Sequence, residues 1–198
     1  SITFSKGDTK AGYTWKNWNS NADGTGTDLG TGDTYVSSNR TADITVYACY
    51  DLITYDITYN LNGGTNPNDA PTSYNITTTT FNLPTNPTKT GYTFAGWYTT
   101  SDFSDNKVTQ IAQGSTDDKE FWAKWTAIEY TITYNDLYDV THSNPTTYTI
   151  ESETITFTNP TSERTGYTFA GWNPTQIAQG STGDQAVSAQ WTANTYTV

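Results

Sequence analysis

Methionine is absent from this chain, histidine and cysteine occur once each, and lysine and arginine together number nine against twenty aspartates and glutamates. A lone cysteine, Cys49, excludes an intrachain disulfide. A lone histidine, His142, lies in the irregular stretch 139–145. It leaves no repeated Ser/His/Asp or Cys/His set, and nucleophilic catalysis needs a base held against its nucleophile. The shortage of cations leaves a net charge of −11, so a phosphate backbone would be repelled and nucleic acid is not a partner. No apolar run approaches the ~20 residues that a membrane-crossing helix needs, so no membrane insertion by these residues is expected. No secretory leader is read at Ser1, and the missing initiator methionine is what a segment of a longer protein would show.

What remains is aromatic and β-branched. Hydrophobic residues make up only 33% of the chain, but seven tryptophans and fifteen tyrosines are among its aromatics. A core built here must use a few large rings, each burying ~150–250 Å². Threonine, with 43 copies, and isoleucine favour a pleated, half-buried surface.

The chain repeats itself. Thr90-Gly-Tyr-Thr-Phe-Ala-Gly-Trp97 returns unchanged as Thr165-Gly-Tyr-Thr-Phe-Ala-Gly-Trp172, with a looser copy at Ala11-Gly-Tyr-Thr-Trp-Lys-Asn-Trp18. Thr109-Gln-Ile-Ala-Gln-Gly-Ser-Thr116 returns at 175–182, and Tyr55-Asp-Ile-Thr-Tyr-Asn60 returns as Tyr130-Thr-Ile-Thr-Tyr-Asn135. The spacing between copies falls from 75 to 66 residues after Trp172, so the earlier copy carries a nine-residue loop insertion within 98–108. These offsets divide the chain into the second half of one repeat (1–52), a complete repeat (53–127), a second complete repeat (128–193) and the first residues of another (194–198).

Within each repeat the pattern predicts four strands. Ile53, Tyr55, Ile57 and Tyr59 alternate with polar residues, as do Ile128, Tyr130, Ile132 and Tyr134, which is the period of a half-buried strand. Asn62-Gly63-Gly64 ends the first strand in a turn. Further strands are expected over 77–83 (counterpart 154–158), 92–99 and 120–126. Gly91 marks a turn and Gly96 a close backbone approach. Residues 108–113 are read as a single turn at most. On the closing strand Phe121, Ala123 and Trp125 match Val187, Ala189 and Trp191, and Val46, Ala48 and Tyr50; this face points inward. Trp122 and Lys124, Ser188 and Gln190, Tyr47 and Cys49 share the outer face, so Cys49 is expected to be exposed.

The series Tyr-x-Ile-Thr-Tyr-Asn, Asn-Gly-Gly, Pro-Thr-x-x-Gly-Tyr-Thr-Phe-x-Gly-Trp and Trp-Ala-x-Trp resembles the Listeria–Bacteroides repeat, also known as the internalin-type B repeat, along the whole chain. The resemblance implies a predominantly β fold, small α+β at most: tandem β-grasp-like four-stranded repeats arranged as an elongated array. It also implies an extracellular setting, in secreted or wall-attached bacterial surface proteins, where such repeats act as stalks, spacers or adhesive modules. Departures from the pattern are Lys16-Asn17 for Ala-Gly, the Gly/Asp-rich run 21–33, and Asn135-Asp-Leu-Tyr for the Asn-Gly-Gly turn.

Candidate chemistry is sparse. The run 21–33 offers oxygen ligands for Ca²⁺ but lacks EF-hand spacing, and ordinary turn chemistry is the preferred reading of it. A Lys124 isopeptide cross-link is disfavoured because Gln190 and Cys49 hold the same slot. Neither metal nor cofactor is expected, and the chain reads as non-enzymatic. Trp122 and Tyr47, as outward aromatics, are the candidate ligand-binding residues for a host glycan or surface protein. The expected function is a stalk in an adhesin-like molecule, whose other partners are neighbouring repeats of the same chain. Between Trp125 and Tyr130 only Thr-Ala-Ile-Glu intervenes, a joint short enough to restrict hinge motion.

Overall fold

The computed structural model describes residues 2–3, 5–31, 34–35 and 43–197, and every regular element among them is a strand. Two compact units form: Ser1–Asn60 with Pro67–Pro84 and Trp97–Trp122, and Leu61–Asn66 with Thr85–Gly96 and Ala123–Val198. The half repeat contributes β1 (Ile2–Thr3), β2 (Tyr13–Asn19), β3 (Thr34–Tyr35) and β4 (Tyr47–Leu52). The first complete repeat contributes β5 (Tyr55–Asn60), β6 (Ser73–Tyr74), β7 (Phe81–Asn82), β8 (Tyr92–Tyr98), β9 (Gln110–Ile111) and β10 (Lys119–Ala127). The second contributes β11 (Tyr130–Asn135), β12 (Thr147–Tyr148), β13 (Ile155–Thr156), β14 (Tyr167–Asn173), β15 (Gln176–Ile177) and β16 (Gln185–Ala193).

Each complete repeat has the same plan. A four-stranded sheet runs β6-β5-β10-β8 in one and β12-β11-β16-β14 in the other. The opening and closing strands are its parallel centre, with Ile57 opposite Lys119 and Ile132 opposite Gln185. A separate antiparallel pair, β7–β9 or β13–β15, completes the repeat. The tandem β repeat expected from the sequence is therefore present.

Rings fill the core. In the last repeat Ile132, Tyr148, Phe157, Trp172, Ile177, Val187 and Ala189 form one buried cluster. Phe169 and Trp172 both join it, although three residues apart on a strand they would point to opposite faces. A β-bulge between Phe169 and Gly171 corrects the phase, and the two rings meet edge to face at 5.2 Å. The bulge between Trp15 and Asn17 does the same for Trp15 and Trp18, at 5.4 Å. At Gly171 the glycine serves this bend: it has φ 131°, and a Cβ there would meet nothing within 4 Å.

Each buried indole also pins a loop. Trp97 donates to the Pro84 carbonyl at 2.7 Å and Trp172 to the Thr158 carbonyl at 2.8 Å. The closing tryptophans do likewise, Trp125 to Leu61 and Trp191 to Asp136, both at 2.8 Å. A ring thus supplies apolar area and a hydrogen bond that fixes irregular chain around it. The inserted loop is held mainly by a carboxylate: Asp105 accepts from the Thr99 amide and hydroxyl, and the hydroxyl bond holds its pKa below the usual carboxylate range.

Four expectations need correction. Cys49 is buried, 7% exposed, with its thiol free. Its Sγ lies beside the loop 21–30, where a Cβ on Gly24 would come within 3.6 Å, so that loop covers the outer face at Cys49. Ala48 is exposed, whereas Ala123 and Ala189 are buried. The half repeat has no counterpart of β11 and β12, whose Ile132 and Tyr148 share the cluster containing Ala189. The strand expected over 77–83 is broken, because residues 75–78 close a turn: the Thr78 amide donates to the Asn75 carbonyl, and the Asn75 amide donates to the Thr78 hydroxyl. Residues 110–111 pair as β9, and the turn follows at 112–115.

The two hairpin-like turns differ as the sequence implied. Asn62 and Gly63 take positive φ beneath a Gly64-to-Leu61 bond. In the last repeat Tyr138 and Asp139 take positive φ beneath a Val140-to-Leu137 bond, without a glycine to relieve them. Asp139→Gly is therefore expected to raise the unfolding free energy by about 1 kcal/mol in denaturant titration.

Tyr59 and Tyr134 have their phenol pKa pushed up to about 12 by burial, from 10.0. The neutral ring is favoured in the folded state, so this stabilisation is complete below pH 10 and disappears as pH rises through 12. Alkaline denaturation across that window is expected to weaken in Tyr59→Phe. At pH 7 that variant should be neutral or stabilising, because the Tyr59 hydroxyl is buried without a partner among the described residues. Tyr134→Phe should instead cost about 1 kcal/mol, since its hydroxyl donates to the Pro145 carbonyl at 2.7 Å.

Candidate functional site: the joints between repeats

The Gly-Tyr signature makes a tight turn that also ends one repeat against the next. The amides of Tyr13, Tyr92 and Tyr167 donate to the carbonyls of Lys10, Lys89 and Arg164 at 3.0, 3.1 and 3.1 Å. The glycine sits third in each turn with φ of 77°, 77° and 78°. That conformation is open to glycine and strained for other residues.

The glycine carbonyl then takes the first amide beyond the closing strand. Ile53 donates to Gly12 at 3.0 Å, Ile128 to Gly91 at 2.9 Å and Asn194 to Gly166 at 2.9 Å. So the two-residue step from closing to opening strand is tied to the turn rather than left as a free hinge.

At two of these places the following repeat adds a side chain. Ile76 lies on Gly12, where a Cβ would fall 2.7 Å from the isoleucine Cβ. Ile150 lies on Gly91, where a Cβ would fall 2.6 Å from Cδ1 and 2.9 Å from Cβ. Both isoleucines are second in a four-residue turn, 75–78 or 149–152, closed by a Thr78 or Ser152 side chain and backbone amide. The second joint gains a bond from the Tyr92 hydroxyl to Glu151 at 3.0 Å, which pushes the phenol pKa up. Gly12 and Gly91 are buried in consequence.

The same turns hold a cation on a ring face. Lys10 stands 3.9 Å from the Tyr13 centroid, Lys89 4.1 Å from Tyr92, and the Arg164 guanidinium 3.7 Å from Tyr167. Tyr50, Trp125 and Trp191 of the closing strands have ring centroids 5.4, 6.0 and 5.5 Å from the same cations. Clefts of about 410 and 380 Å³ open beside Lys89 and Arg164. Lys-Ala-Gly-Tyr, Lys-Thr-Gly-Tyr and Arg-Thr-Gly-Tyr carried this signal in the sequence. The isoleucine contact had no such local signature.

Of the candidate ligand residues, Tyr47 is 39% exposed at the start of β4, opposite Asn19. Trp122 is part-buried on β10, opposite Asn60. They occupy equivalent positions in successive repeats and are not part of one cluster. His142 stacks 4.0 Å from Tyr134 and 5.7 Å from Trp172, at the edge of the core. Among the described residues no group of three metal-ligating side chains forms, and no helix is long and apolar enough to cross a membrane. Gly32 and Asp33 of the 21–33 run lie outside the described residues.

Gly91→Ala is expected to cost more than Gly166→Ala. Both meet backbone strain of ~1–2 kcal/mol. Only Gly91 also meets Ile150, adding ~1–3 kcal/mol of overpacking. Denaturant titration of the two variants reads the difference.

Comparison with known proteins places this arrangement. The chain is 28% identical over 206 aligned positions to a protein of Evansella cellulosilytica provisionally described as a Gly-rich membrane protein, covering 96% of this chain and 22% of that one. A second membrane protein of that organism, also provisionally described, is 29% identical over 74% of this chain and 22% of its own length. Internalin H of Listeria monocytogenes is 35% identical over 45% of this chain and 15% of its own. The chain thus spans about a fifth of the length of these relatives. No solved structure matches it. The Listeria-Bacteroides repeat domain matches three times, at residues 1–49, 55–124 and 130–197, and the chain belongs to that family.

Proposed function

We propose that this segment is a non-enzymatic spacer in a bacterial surface protein, holding other parts of that protein away from the cell. The observation that carries this is the closed joint: a backbone bond at all three glycine turns, with an isoleucine contact at Gly12 and Gly91. Such a joint resists hinge motion, and small units joined end to end through it make length. The sheet order, with the parallel opening and closing strands central, fits a β-grasp outline. The names of the relatives, membrane proteins and an internalin, support an extracellular, surface-attached setting.

Direct binding of a host glycan or protein is the second reading. It is favoured by the cation-on-ring clefts and by the exposed Tyr47 ring. Glycan-array binding that Trp122→Ala abolishes would support it.

Small-angle scattering tests the spacer. A compact particle of this length has a radius of gyration of about 16 Å. An end-to-end array is expected well above that value, and a measured value at it would refute the reading.

A further inference from the structure

The last Gly-Tyr turn has everything the earlier two have except its cover. Gly166 repeats the φ of Gly12 and Gly91, and its carbonyl holds the Asn194 amide. Yet a Cβ on Gly166 would meet nothing within 4 Å. Tyr167 is 40% exposed, whereas Tyr13 and Tyr92 are part-buried. Tyr196 is 77% exposed. It stands two residues past the tied amide, as Tyr55 and Tyr130 do, and those rings pack on Tyr74 and Tyr148 at centroid distances of 5.5 Å.

The two filled joints define what fits this surface. In each, the incoming segment presents Tyr-x-Ile: Tyr74 and Ile76, or Tyr148 and Ile150. The tyrosine packs on the opening-strand ring, and the isoleucine two residues later covers the glycine. Gly166 and Tyr196 are the matching pair, tied in the same register and uncovered together.

We propose that the face formed by Gly166, Tyr167 and Tyr196 is a docking surface for the Tyr-x-Ile turn of a further repeat of this kind in the same polypeptide. This rests on reading the repeats as a joined array and specifies how one recognises the next. Recognition is local: a glycine with positive φ on one side, an isoleucine-bearing turn on the other. The repeat itself is the ligand, so length grows without a separate linker.

The test compares this chain with one lengthened by a second copy of residues 130–193 placed after Thr195. In the present chain, Gly166→Ala should lower the thermal midpoint by ~2–8 °C, the strain alone. In the lengthened chain the drop should at least double. Ile150→Ala made only in the added copy should return it to the smaller value. Equal drops in both chains would overturn the proposal. Scattering separates the two readings: a lengthened chain whose maximum dimension grows while the drops stay equal retains the spacer and rejects this docking mode. A dimension that does not grow rejects the spacer. Sedimentation of the present chain should show a monomer at all concentrations. Self-association abolished by Gly166→Ala would make a second copy the occupant and overturn the assignment to the same polypeptide.

Discussion

The glycine of the Gly-Tyr turn is the constraint on which the joined repeats depend. Its positive φ turns the chain into the third strand of the sheet, and its carbonyl points at the first amide past the closing strand. One residue thereby shapes its own repeat and ties the next. Its missing Cβ leaves room for Ile76 or Ile150, so a third role follows from the same absence. An alanine there would strain the turn and displace the neighbour together. Stability and coupling between repeats are therefore not separable at this position.

The interior solves a related problem, how to close small domains with little aliphatic material. Tryptophan does so twice per complete repeat. Trp97 and Trp172 pin the chain that follows β7 and β13, and Trp125 and Trp191 pin the turn after β5 and β11. The bulge before Trp172 lets Phe169 share its face, placing two large rings where strict alternation would allow one. Polar, threonine-rich surfaces can then surround a core that is small in residue count and large in area.

Much of this was legible because the copies could be set against one another. The inward face of the closing strand followed from Phe121 against Val187 and Ala123 against Ala189, and all four are buried. Asn62-Gly63 announced its turn by glycine chemistry alone. Comparison failed where the copies are not equivalent. Cys49 was placed outside by analogy with Lys124 and Gln190, but the Gly/Asp-rich loop 21–30, which differs in sequence from the 98–108 loop at the matching place, lies against its Sγ. The run Thr77–Thr80 carries strand propensity, yet Asn75 and Thr78 close a turn through side-chain bonds that propensity does not register. That turn puts Ile76 on Gly12, so the joint was hidden by the same misreading. A contact between residues 64 positions apart leaves no local periodicity to find.

Residue-resolved amide hydrogen exchange tests the closed joint most directly. The Ile53 and Ile128 amides are bonded to glycine carbonyls and covered by the next repeat, whereas the Asn194 amide makes the same bond without cover. A closed joint predicts that Ile53 and Ile128 exchange as slowly as amides within the sheets, and that Asn194 exchanges faster. Exchange at Ile53 and Ile128 as fast as at Asn194 would show that the repeats hinge freely and would contradict the joint as the source of the array.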